Sequence, residues 1–301
     1  MLKFNMEPAR ISFYDQIARN KRKSFFLMFC IFLVFLLLGY VISQVYSVVS
    51  FFSIMIFAII ISISYILISY YNSDKIALAS VNSRPASRNE FRQYYDSVEG
   101  LCLASGLPTP KLYVMQNEQI NAFATGRDPQ HAVICVTTGA LEKLNKQELE
   151  GVLSHELSHI ANFDIRFMTL AAVMVGMIAI ISQMFLRSLW FRSGGGDDNK
   201  GNAIFLLIGI ILAIFAPIAV QLVQLAISRK REFTADATAV QFTRTPTGLA
   251  NALRKIKNDK PMKVNKAVAS LFMSDPFRQK VAGMFSTHPS IDERIKILEK
   301  L

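Results

Sequence analysis

The chain has 301 residues, 52% of them hydrophobic, and a net charge of +11. That hydrophobicity, with a positive mean hydropathy, belongs to the membrane class rather than to a soluble protein of one or two domains. The positive charge clusters beside apolar segments, where it marks topology and meets anionic lipid head groups; no aromatic-rich basic groove or nucleic-acid motif accompanies it, which excludes nucleic acid as a partner.

Taken in chain order, residues 1–24 form a basic segment with Lys3, Arg10, Arg19, Lys21, Arg22 and Lys23. Its length, and the absence of a small-residue cleavage site, set it apart from a removable signal peptide. Four apolar segments follow at 25–42, 45–71, 167–186 and 203–227. Each is long enough to cross a bilayer, which takes about 20 helical residues. Only Ser43 and Gln44 separate the first two, so 25–72 reads as a transmembrane hairpin. A Gly-rich stretch separates the last two, and 167–227 reads as a second hairpin. The positive-inside rule places the N-terminus in the cytoplasm, and the basic residues after the second and fourth segments agree. The blocks 73–166 and 228–301 then both face the cytoplasm. The four segments contain no Asp, Glu, Lys, Arg or His, which argues against a transporter or channel. Cys30, Cys102 and Cys135 lack metal-knuckle or CxxC spacing and read as small buried hydrophobes in a reducing compartment.

In the first soluble block, KLYVM and HAVICV read as strands, and GLPTP and TGRDPQ as turns. Asn145 with Glu148 is a capping-box signature opening a helix that runs through HELSH at 155–159. Ser290 with Glu293 repeats it before a last helix in a mainly helical second block.

HELSH carries the chemistry. His155 and His159, four apart on a helix, point one turn apart on one face and can share a tetrahedral zinc ion. Glu156 lies beside them, where a carboxylate can take a proton from water and later deliver it to a leaving amine. A catalytic zinc needs a third protein ligand. After the fourth segment the chain reads REFTADATA, with Glu232 and Asp236 again four apart. Glu232 can be that ligand. Asp236 can accept a hydrogen bond from the first histidine and fix its tautomer. A histidine at 131 matches no ligand spacing and reads as structural.

NAFATG at 121–126, VTTGAL leading into LSHELSHIANFD, SRKREFTADATA at 228–239 and STHPSIDERI at 286–295, with FYDQIARNKRKS before the first apolar segment, together resemble the HtpX family of membrane-integrated zinc metallopeptidases. The likeness runs almost end to end. It implies a mainly helical α/β fold: a thermolysin-like core joined to about four transmembrane helices. It also implies an inner-membrane protease whose catalytic part faces the cytoplasm and degrades misfolded or damaged membrane proteins. Carried over residue by residue, His155, His159 and Glu232 hold one zinc ion per chain and Glu156 is the general base. Asp236 bonds a zinc histidine, and His288 donates a hydrogen bond to the oxyanion. Asn121 is placed to bond substrate backbone and Phe123 to wall a side-chain pocket, with an extended peptide adding as a strand. Asn162 and Asp164 either brace the helix or lie near the metal. The HPS sequence lacks a second proline common in the family, a change expected to matter little. The rival readings are a membrane scaffold with a structural metal and a dedicated processing protease. Glu156 argues against the scaffold, because a structural zinc has no use for it. Four spans are too few for the chamber that dedicated membrane peptidases build.

Overall fold

The computed structural model describes residues 13–43, 48–174, 229–262, 264, 269–274, 276 and 289–301. It is mainly helical with one small mixed sheet.

Helices α1 (Phe13–Ser43) and α2 (Val48–Ser80) come first. Long apolar runs without proline make both continuous. They lie side by side: a Cβ on Gly39 would come within 2.5 Å of the Ala58 Cβ, so only glycine permits this approach. Phe35 meets Tyr65 nearby, with ring centroids 5.2 Å apart. Outward, Phe25, Phe26, Phe52 and Phe57 are exposed, a surface suited to lipid rather than water. Among the described residues one helical stretch, Phe51–Ser80, meets the length and apolarity of a span. Of the other three expected spans, 25–42 lies within α1, 167–186 is described only to 174, and 203–227 lies outside the described residues. The Gly-rich stretch also lies outside them. Helical geometry lapses at Asn72 (φ −122°, ψ 15°), where apolar sequence gives way to NSDK. Past this kink α2 carries Ala77 and Leu78 into the interior of the soluble part.

The sheet has strand order β1-β2-β4-β3. β1 (Arg84–Pro85) runs antiparallel to β2 (Lys111–Met115), β2 parallel to β4 (Ala132–Thr137), and β4 antiparallel to β3 (Ala122–Gly126). KLYVM and AVICVT are thus strands, and NAFATG is the edge strand. One sheet face packs on α3 (Arg92–Ser105) and α5 (Lys146–Ala161), through Val98, Leu101, Ile134, Val136, Leu153 and Leu157. The other face meets the end of α2, Met168 of the helix α6 (164–174) and Phe272. A short helix, α4 (Thr138–Lys143), links β4 to α5. The remaining α-helices among the described residues are α7 (Arg229–Thr243), α8 (Thr247–Asn258) and α9 (Ile291–Leu298).

α5 starts where its cap dictates. Asn145 accepts the Glu148 N–H, and the Glu148 carboxylate accepts the Asn145 N–H, both at 2.9 Å. Two orphan donors are satisfied at once, and Lys255 of α8 clamps the same carboxylate at 2.6 Å. At the last helix Ser290 accepts the Glu293 N–H at 3.1 Å. In mid-helix, Gly151 lets α8 approach: a Cβ there would lie 2.4 Å from the Leu249 backbone nitrogen. Gly151→Ala must therefore separate α5 from α8. The expected loss is about 1–3 kcal/mol, as for other overpacked interiors, read as a lowered thermal midpoint of the purified protein. An unchanged midpoint would show that the crossing has slack.

Candidate metal and catalytic site

α5 places His155 and His159 one turn apart on the face turned toward α7. Both are buried, with ring centroids 4.8 Å apart and Nε2 atoms 3.2 Å apart. α7 brings Glu232 opposite. Its Oε2 lies 3.6 Å from His155 Nε2, and its Oε1 lies 3.7 Å from His159 Nε2. The three side chains offer donor atoms that all lie within 4.8 Å of one another.

The far nitrogens are also committed. Asp236, one turn along α7 from Glu232, sets Oδ1 at 2.9 Å from His155 Nδ1. Asp164, at the start of α6, sets Oδ2 at 3.1 Å from His159 Nδ1. A carboxylate beside Nδ1 keeps the proton on that atom and leaves the Nε2 lone pair pointing inward. Two such lone pairs facing a carboxylate form a donor set that suits a divalent ion of the zinc type. Glu156 lies beside this set, and its buried Oε1 makes no hydrogen bond among the described residues. A buried carboxylate oxygen without a protein partner is costly and fits a site that receives water and substrate.

Electrostatics hold the cluster together. Burial pushes the Glu156 carboxyl up, against the pull of the two histidines. Burial and Arg294 both disfavour charge on His155, yet the hydrogen bonds to Asp236 and Glu232 outweigh them and raise its pKa to about 9; a bound ion would displace the Nε2 proton to reach that lone pair. Burial would also raise Asp236, but Arg294 beside it brings its pKa down to about 2.

Arg294 falls inside STHPSIDERI, yet the sequence reading assigns it no role. On paper it is one charge of a short amphipathic helix, α9. In the fold it is 1% exposed. Its Nε and Nη2 donate to the two Asp236 oxygens at 2.8 and 2.6 Å, and Nη1 donates to the Met273 carbonyl at 3.1 Å. Nη1 also lies 3.7 Å from Glu232 Oε2. One guanidinium therefore ties α7, α9 and the Met273 backbone together behind the His155–Glu232 pair.

The other expected site residues fall as follows. Asn121 is buried at the edge of the sheet and bound to the chain itself: its amide donates to the Ser274 carbonyl at 3.2 Å and accepts the Ser274 N–H at 3.4 Å. The Met273 N–H donates to the Ala122 carbonyl at 2.9 Å. The chain's own Met273–Ser274 segment thus lies along the start of β3, where an added strand was expected. Phe123 is an interior side chain packed on Phe272, with ring centroids 5.0 Å apart. Asn162 and Asp164 take separate tasks, the first ending α5 and the second binding His159. His131 lies away from the cluster and bonds Asp128 at 2.6 Å. His288 lies outside the described residues.

The family described as Peptidase family M48 matches residues 88–301. A Protease HtpX homolog of Caldanaerobacter subterraneus subsp. tengcongensis is 46% identical over 297 residues, which cover 96% of this chain and 97% of that one. Another, from Thermoanaerobacter pseudethanolicus, is 44% identical over 299 residues, covering 97% and 99%. Among solved structures, S. mikatae Ste24p aligns with 94% of this chain and 66% of its own, at 21% identity and a TM-score of 0.45. The chain belongs to peptidase family M48, among its HtpX membrane metalloproteases.

Proposed function

We propose that the chain is a zinc-dependent endopeptidase that hydrolyses peptide bonds of misfolded or damaged membrane proteins at the cytoplasmic face of the inner membrane. The observation that carries this reading is the pair of histidines anchored at Nδ1, converging with Glu232 through Nε2, next to a Glu156 oxygen that bonds nothing among the described residues.

His155, His159 and Glu232 would hold one zinc ion per chain. Zinc bound there supplies Lewis-acid charge that polarises a substrate carbonyl and acidifies water. The rest falls to side chains. Glu156 takes a proton from the attacking water on Oε1 and passes it to the departing amide nitrogen. Asp236 and Asp164 keep both imidazoles in the ligand tautomer. His288 donates a hydrogen bond to the developing oxyanion. An extended peptide adds along β3 at Asn121 and Ala122, and to do so it takes the place that Met273–Ser274 holds in the resting chain. Phe123 supports that strand from the interior.

The division into a basic segment 1–24, hairpins 25–72 and 167–227 and catalytic parts 73–166 and 228–301 puts the cleft at the bilayer surface. Cytoplasmic loops and tails of membrane proteins are the peptides within its reach. Recognition through backbone rather than sequence suits protein quality control.

The test is metal removal. Dialysis of the detergent-purified protein against a chelator should abolish cleavage of an unfolded protein, and one equivalent of zinc should restore it. Cleavage that survives chelation, in protein shown by elemental analysis to be metal-free, would sink the reading.

A further inference from the structure

Asp164 does more than bind His159. Its other oxygen, Oδ1, takes the amide of Asn20 at 2.7 Å and the guanidinium of Arg231 at 3.1 Å. The same Asn20 nitrogen donates to the Asn162 carbonyl at 2.9 Å, the residue that ends α5. Asn20 lies on α1, just before the apolar run that begins at Phe25, and it is buried. Between Asn162 and Asp164 the chain turns through Phe163 at φ 57°, a left-handed conformation that a bulky side chain adopts only when its surroundings impose it. Those surroundings also come partly from α1: Lys21 sits 4.7 Å from the Phe163 ring centroid, with Arg166 at 5.2 Å.

We infer that Asn20, on the first membrane helix, is a positioning residue for the metal site. It acts through Asp164 on His159. One amide nitrogen bonds both the last turn of the HELSH helix and the carboxylate that must meet His159 Nδ1. That bond sets the distance between them and turns Oδ2 toward the imidazole. Arg231 neutralises the carboxylate but comes from α7; from α1, Lys23 adds charge nearby and, among the described residues, Asn20 supplies the hydrogen bond. The Asn20 hydrogen bonds, rather than the apolar packing of α1, therefore decide whether His159 presents Nε2 correctly, and one polar residue of the membrane anchor becomes part of the metal centre. The inference rests on the reading above that His155, His159 and Glu232 hold the ion.

Full-length protein in detergent tests this by two readouts other than activity: zinc affinity by competition with a chromogenic chelator, and the visible spectrum of the Co²⁺-loaded protein. Removing a residue that orients a ligand typically lowers metal affinity by about 10–100-fold, and Asn20→Ala is expected to fall in that range with shifted Co²⁺ bands. Asn20→Asp keeps the shape but sets a carboxylate against Asp164, so it should lose at least as much. Leu27→Ala is the comparison. Leu27 is buried on the same helix against Phe167 and Leu170, so its loss loosens α1 without touching the hydrogen bonds, and affinity and spectrum should stay in place. Wild-type affinity and spectrum in Asn20→Ala would overturn the inference, and so would an equal loss in Leu27→Ala. A wild type that takes up no ion would overturn the metal reading itself.

Discussion

Glu156→Gln should lower peptide-bond cleavage by about 10²–10⁴-fold, the usual weight of a positioned proton-transfer group, with metal uptake unchanged. Glutamine matches the shape of glutamate, so packing around the side chain survives. What it lacks is a carboxylate oxygen able to receive a proton. Oε1 of Glu156 has no hydrogen-bond partner among the described residues, so none of their bonds at that atom is lost. Burial already disfavours the charged carboxylate, and a neutral amide is tolerated there without strain. The measurement pairs turnover of an unfolded protein substrate with elemental zinc analysis of wild type and variant. A variant that cleaves at the wild-type rate would remove Glu156 from the chemistry and leave the scaffold reading standing.

Arg294→Met should be the most destabilising single change in the soluble part. The guanidinium is fully buried and bonds both Asp236 oxygens and the Met273 carbonyl. Methionine fills most of the volume but leaves the Asp236 carboxylate without its cation. Breaking a buried ion pair from one side costs about 3–5 kcal/mol. Lysine is no substitute, since a single ammonium cannot reproduce the planar fork. The lowered thermal midpoint should be accompanied by weaker zinc binding, because Asp236 also holds His155. Adding Asp236→Asn to Arg294→Met should recover part of the midpoint, since the Asp236 charge left without its guanidinium is then gone. Zinc affinity should stay low in that double variant. A single variant as stable as wild type would show that water or another group replaces the guanidinium.

Local periodicity carried much of the reading. HELSH is legible because a helix puts positions four apart on one face, and Asn145 with Glu148 marks where that helix begins. Glu232 and Asp236 are legible for the same reason. The long apolar runs of α1 and α2 announce themselves by length and by the charges beside them. KLYVM and HAVICV show the β-branched composition of buried strands. Each of these signals lies within a few residues of chain, where sequence and geometry are nearly the same thing.

What the sequence could not show was which distant groups meet. Arg294 looks like an exposed charge until α9 docks on α7, and its burial follows from having Asp236 to pair with. Asn20 reads as one polar residue in a basic stretch; only the packing of α1 beneath the turn at Phe163 puts it on Asp164. The β3 edge reads as open, yet Met273 and Ser274 return from the far end of the chain to cover its start. The residue types of HELSH and REFTADATA determined that a metal site was available. Its orientation, its buried counter-charge and its tie to α1 were decided by tertiary contacts, because hydrogen bonds and ion pairs between remote segments leave no periodic trace in the chain.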